Sequence, residues 1–165
     1  MDALIAPLRR VDLFRGLSPL QITEIARTAE RIVFKAGTRI AEAGREAEAA
    51  LLIVSGEADI VGDLNSACLP RPVEEASLIG EMAMLVDYTY GVTVVARTNV
   101  RCLKINRDTL QAQILDDPDV GEKLTANLAE RLKRVANELQ DIDSRLAAVA
   151  STASQPAAVI EGALH

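Results

Sequence analysis

The sequence predicts an α+β domain in which an antiparallel sandwich or barrel of short strands follows a capped helix and precedes one long helix. Three observations carry this. Strand-length apolar runs are punctuated by Gly37, Gly44, Gly56 and Gly62. A helix-start signature, Ser18-Pro19-Leu20-Gln21, stands before them. Beyond them, apolar residues from Leu128 to Val149 recur every 3.5 positions.

In chain order, Ser18 is placed to cap a helix, Pro19 sits at its first position, and Gln21 stands where a capping box needs a side chain that reaches back. The apolar positions Leu20, Ile22, Ile25, Ala26 and Ala29 mostly form one stripe. Residues 31–34, 38–41, 50–54 and 57–61 then read as strands with glycine turns between them. The polar, proline-bearing stretch 63–72 reads as a hairpin loop. Residues 92–96 and 100–105 are rich in β-branched side chains and flank a turn at Arg97-Thr98-Asn99. Asn106 is a candidate cap for a helix over 108–115, and Asp117-Pro118 marks a second start. The resulting division is N-terminal helices over 1–30, a β-roll over 31–105, C-terminal helices over 106–150 and a flexible tail over 151–165.

Composition narrows the function. With 24 acidic against 18 basic residues the formal charge is −6, which disfavours a nucleic-acid partner. The N-terminus lacks a basic segment leading into a long apolar run, and no stretch approaches a membrane span, so no membrane partner and a cytoplasmic location are expected. Cys68 and Cys102 are unaccompanied by histidines, so neither a metal site nor a disulfide framework is expected. The single histidine, His165, lies at the end of the tail, and no paired carboxylates stand out, so an enzyme is not expected and no catalytic residue is assigned.

Leu128, Leu132, Val135, Leu139, Ile142, Leu146 and Val149 are spaced alternately four and three apart, a seam held over three heptads. A seam of this length predicts a homodimer through the long helix. Glu138 and Asp143 would lie near one another across a parallel pair, so the charges leave the strand orientation open.

Four runs stand in order along the chain: Leu13-Phe14-Arg15-Gly16-Leu17-Ser18, Lys35-Ala36-Gly37, Glu42-Ala43-Gly44 and Leu51-Leu52-Ile53-Val54-Ser55-Gly56-Glu57. On these residues the chain resembles the cyclic-nucleotide-binding domain superfamily of catabolite activator proteins, kinase regulatory subunits and nucleotide-gated channels. It implies an antiparallel jelly-roll sandwich with a C-terminal dimerisation helix, and a binding cassette over 79–94. That cassette comprises Gly80, Glu81, Met82, Ala83, Tyr90, Gly91, Val92 and Thr93. By resemblance, Glu81 accepts a hydrogen bond from a ribose hydroxyl and the backbone near Ala83 meets the cyclic phosphate of cAMP or cGMP. Glycine at position 80 lets the backbone approach an anion closely. The family's phosphate-pairing arginine falls at Tyr90, where a phenol offers one donor in place of a charged fork. Two readings follow: a ligand sensor that acts through the long helix on a separate, unidentified output protein, and a degenerate dimerisation or docking scaffold whose pocket is empty or plugged by tyrosine. The winged helix that transcription factors of this superfamily append is not expected after the long helix.

Overall fold

The computed structural model describes residues 2–154. Helix α1 (Asp2–Arg9) and a 3-10 turn at Asp12–Phe14 lead into α2 (Pro19–Thr28). The capping box forms as its residues dictate: Gln21 N donates to Ser18 Oγ at 3.2 Å, and Ser18 N donates to Gln21 Oε1 at 2.8 Å. The helix buries Gln21, Ile22, Ile25 and Ala26. Leu20, expected on the apolar stripe, is 78% exposed, because a residue at the second helical position turns away from the face that continues through Ile22 and Ile25.

Ten strands follow: β1 (Glu30–Phe34), β2 (Arg39–Ala41), β3 (Glu46–Ala47), β4 (Ala49–Ser55), β5 (Ala58–Asp63), β6 (Ala67–Pro72), β7 (Leu78–Ile79), β8 (Tyr88–Thr89), β9 (Val92–Ala96) and β10 (Val100–Asn106). They form one sheet ordered β1-β10-β4-β7, a second ordered β2-β9-β5-β6, and the small pair β3-β8, with every pairing antiparallel. The two larger sheets enclose a core of Ile40, Leu51, Ile53, Val94, Val100 and Cys102, on which Ile32 and Phe34 also pack. This is the jelly-roll sandwich that the resemblance implies.

One hairpin differs from the expectation. Residues 63–72 are not a single loop, since β6 pairs with β5 through Ile60↔Arg71 and Gly62↔Ala67. The true turn is 64–66, where Asp63 Oδ1 accepts from Asn65 N at 2.8 Å and Ser66 N at 3.0 Å. Pro70 and Pro72 are tolerated because β6 is an edge strand and an edge needs no outward N–H. The turn from β4 to β5 requires glycine, because Gly56 has φ +96° and a Cβ there would collide with the backbone of Asn99 and Val100.

Helix α3 (Arg107–Asp116) and the 36-residue α4 (Pro118–Ala153) complete the described chain. Asn106 stands at the cap of α3, but its side chain makes no cap bond and instead donates to Glu30 Oε1 at 2.5 Å. Asp117 does cap, accepting from Asp119 N at 3.3 Å. Gln21 Nε2, from α2, donates to Asp117 Oδ2 at 2.9 Å and Asp119 Oδ2 at 2.8 Å, so the junction between α3 and α4 is tied to the first helices. Helix α4 extends through Ala153, past the start expected for the tail at Ser151; the rest of that tail, 155–165, lies outside the described residues.

The chain divides into two units, one ending at Asn127 and the other beginning at Leu128. In the first, Val120 and Leu124 are buried, and Asn127 Nδ2 donates to the carbonyls of Leu13 and Arg15, each at 2.8 Å. In the second, Leu132, Val135, Leu139, Ile142, Leu146 and Val149 are all exposed. No described helix is long and apolar enough to cross a membrane.

Candidate functional site

The cassette is assembled from β7, a 3-10 turn at Glu81–Met84, β8 and β9. Gly80 ends β7 in the left-handed region, with φ 66° and ψ 39°, which turns the chain sharply before Glu81. The turn then closes on itself. Ala83 N donates to Gly80 O at 2.9 Å, so one amide of the backbone that the resemblance brings to a phosphate is already engaged. Ala83 and Met84 are fully buried, whereas Glu81 and Met82 are half-buried.

Tyr90 faces this turn. Its backbone is held by two bonds, Tyr90 N donating to Arg45 O and Gly44 N donating to Tyr90 O, each at 2.9 Å. Its ring lies on Gly80, where a Cβ would stand 2.6 Å from Cε1 and 3.2 Å from Cδ1. The hydroxyl donates a long bond of 3.4 Å to Ala49 O, and the ring packs on the sandwich core. Burial pushes the phenol above its ordinary value, so it stays neutral near pH 7. Thr93 Oγ1 accepts from Ala43 N at 3.0 Å, and Gly91 and Val92 are half-buried between these two anchors. Of the predicted residues, Gly80 and Tyr90 are therefore in direct contact.

No cation takes the arginine's place from the positions nearest in sequence. Arg97, at the far end of β9, lies 3.5 Å from Glu57 and 3.6 Å from Asp59. Arg101 stands on β10 opposite Val33 and Ser55, and its side chain lies on the outer face of that sheet. Arg45, whose carbonyl holds Tyr90, directs its guanidinium to Glu42 at 3.5 Å, and Arg39 meets the same Glu42 at 3.0 Å.

Two contacts of the candidate cassette were not read from the sequence. The segment from Ala43 to Arg45 is hydrogen-bonded to Tyr90 and Thr93, and Asp87, in the loop between the 3-10 turn and β8, forms an ion pair with Arg107, the first residue of α3, at 2.5 Å. Twenty positions separate that pair, and nothing local to either residue signals it. Among the described residues no group of three or more histidines, cysteines or carboxylates could hold a metal ion.

The family model described as the cyclic nucleotide-binding domain matches residues 31–117. The chain belongs to that family. Among curated proteins it is 26% identical over 147 residues to a CRP-like cAMP-activated global transcriptional regulator of Mycobacterium tuberculosis, covering 86% of this chain and 63% of that one. It is 32% identical over 106 residues to a cAMP-dependent protein kinase regulatory subunit of Aspergillus fumigatus, covering 61% of this chain and 24% of that protein. The chain thus spans less than two thirds of these relatives. Among solved structures it is similar to a cyclic nucleotide-binding-like protein from Brucella abortus, with a TM-score of 0.62, 30% identity, and coverage of 69% of this chain and 98% of that one.

Proposed function

We propose that this chain is a regulatory sensor module whose cassette, Gly80 to Thr93, takes a cyclic-nucleotide-type ligand and whose long helix carries the output as a homodimer. The observation that carries the reading is the left-handed Gly80 followed by the half-buried Glu81, inside the span that the family model matches. The apolar seam of α4, left exposed in a single chain, supports self-association through Leu128, Leu132, Val135, Leu139, Ile142 and Leu146. The relatives are regulators rather than enzymes, which supports a non-catalytic role. The acidic total supports a protein output partner over nucleic acid, and we take the module to work in the cytoplasm.

A second reading, the ligand-independent scaffold, is favoured by one contact: the Tyr90 ring rests on Gly80, where it occupies the close approach that the glycine opens. Calorimetry against cAMP and cGMP separates the two. A positioned arginine contributes charge-assisted hydrogen bonds of roughly 1.5 to 3 kcal/mol each, about one to two decades in dissociation constant. The natural protein should bind weakly, Tyr90→Arg at least about tenfold tighter, and Glu81→Ala should undo that gain. A folded Tyr90→Arg protein that gains nothing sinks the sensor reading in favour of the scaffold.

A further inference from the structure

We propose that the outer face of the β1-β10-β4 sheet carries a binding site, separate from the cassette, for a small amphiphile with an anionic head of carboxylate or phosphate type. Along β1, Ile32 and Phe34 point into the sandwich, so Arg31 and Val33 point out; along β10, Cys102 points in and Arg101 out. Val33 pairs with Arg101 and Arg31 with Leu103. The two arginines are therefore diagonal neighbours on one face, about 7 to 8 Å apart at the backbone.

These residues and Leu4 of α1 line a cleft of about 660 Å³, within the range of roughly 300 to 1,000 Å³ usual for small-molecule sites. Its walls are mostly apolar. Leu103 lies fully buried in its wall, and Val33 offers a side chain left 61% exposed. Between Arg101 and Cys102 the pairing with β4 skips Val54, a bulge that places Val54, Ser55 and Arg101 together on the cleft.

The charges complete the argument. Arg10, Arg27, Arg39, Arg45, Arg97 and Arg107 each meet a carboxylate. Arg31 and Arg101 meet none among the described residues, and neither side chain makes a hydrogen bond there. Two like charges held side by side repel, and a planar guanidinium is built to receive carboxylate or phosphate oxygens through paired donors. An anionic head would bridge them while an apolar body lies along Val33 and Leu4.

Calorimetry and amide chemical-shift mapping of the full chain test this with decanoate, decyl phosphate, decanol and acetate, all below micelle-forming concentrations. Saturable binding of decanoate or decyl phosphate is expected, at least tenfold tighter than decanol and absent for acetate, with shifts confined to residues near 3–4, 31–33, 54–55 and 101–103. The tighter of the two heads identifies the ligand class. The Arg31→Gln/Arg101→Gln double variant, changed only at exposed side chains, should keep its melting temperature and lose at least tenfold in affinity. Decanol binding as tightly as the anions, an undiminished double variant, shifts centred on 80–93, or no saturation with any probe would each overturn the proposal.

Discussion

Replacing Gln21 by alanine should destabilise the protein by about 2 to 3 kcal/mol, a large effect for a polar side chain on a short helix. Gln21 is only 9% exposed, and its amide serves two purposes. Oε1 accepts from Ser18 N at 2.8 Å, closing the N-terminus of α2, while Nε2 donates to Asp117 at 2.9 Å and Asp119 at 2.8 Å. Loss of the cap interaction costs about 1 kcal/mol. Hydrogen bonds to charged groups are worth roughly 1.5 to 3 kcal/mol, and here the low end applies once to the pair, because both carboxylates can regain water. For a chain of this size each kcal/mol shifts the melting temperature by roughly 2 to 4 °C, so calorimetry should record a fall of about 5 to 10 °C. Gln21→Glu supplies the control, since it keeps an acceptor for Ser18 N but sets a third carboxylate against Asp117 and Asp119. That variant should be at least as unstable as Gln21→Ala near pH 7. Crowding by the two acids raises the pKa of the introduced carboxyl above its unfolded value, so the variant should recover relative to wild type as pH falls. An alanine variant within about 0.5 kcal/mol of wild type, or a glutamate variant that matches wild type at neutral pH, would refute the reasoning.

Gly80→Ala forces a side chain into a left-handed conformation and against the Tyr90 ring, and Tyr90→Ala should relieve the clash but not the strain, giving a non-additive double-mutant cycle in urea melts. Acid should destabilise the fold. Backbone hydrogen bonds from Asn65 and Ser66 hold the Asp63 carboxyl below its usual range, and hydrogen bonds from Lys123 and then Gln21 do the same for Asp119. Groups with depressed folded pKa values stabilise above their unfolded values and lose that contribution as pH drops through the folded ones, so urea midpoints should fall below about pH 4 and fall less steeply in Asp63→Asn. Cys102 is buried with its thiol pushed up to about 12, so iodoacetamide at pH 8 should alkylate Cys68 in the native protein and reach Cys102 only in urea. Replacing Leu139 and Leu146 by glutamate should convert a dimer to monomers in light scattering, and an unchanged mass at micromolar concentration would remove the α4 seam as the interface.

Much of this molecule is legible in the chain itself. The Ser18–Gln21 capping box, the β-branched strands 92–96 and 100–105, the glycine turn at Gly56 and the heptad of α4 each depend on residues a few positions apart, and local spacing reports them directly. The cassette over 79–94 is an expectation of the resemblance and not of local spacing, since Gly80-Glu81 by itself is a two-residue signal. Strand β6 is not legible locally: two prolines and a polar turn read as loop, and only its place at a sheet edge makes them compatible with pairing. Asn106 has the position of a cap but bonds to Glu30, a partner 76 residues away. The contact of Tyr90 with Gly80, the ion pair of Asp87 with Arg107, the second role of Gln21 at Asp117 and Asp119, and the placing of Arg31 and Arg101 on one sheet face were decided by the tertiary structure alone. Helical period and caps are set by neighbours within about one turn, so the sequence determined the capped helix α2, the longer inner strands and the seam of α4. Which side chain fills, pairs or leaves open a given space depends on strands brought together across long loops, and that arrangement exists only once the sandwich has closed.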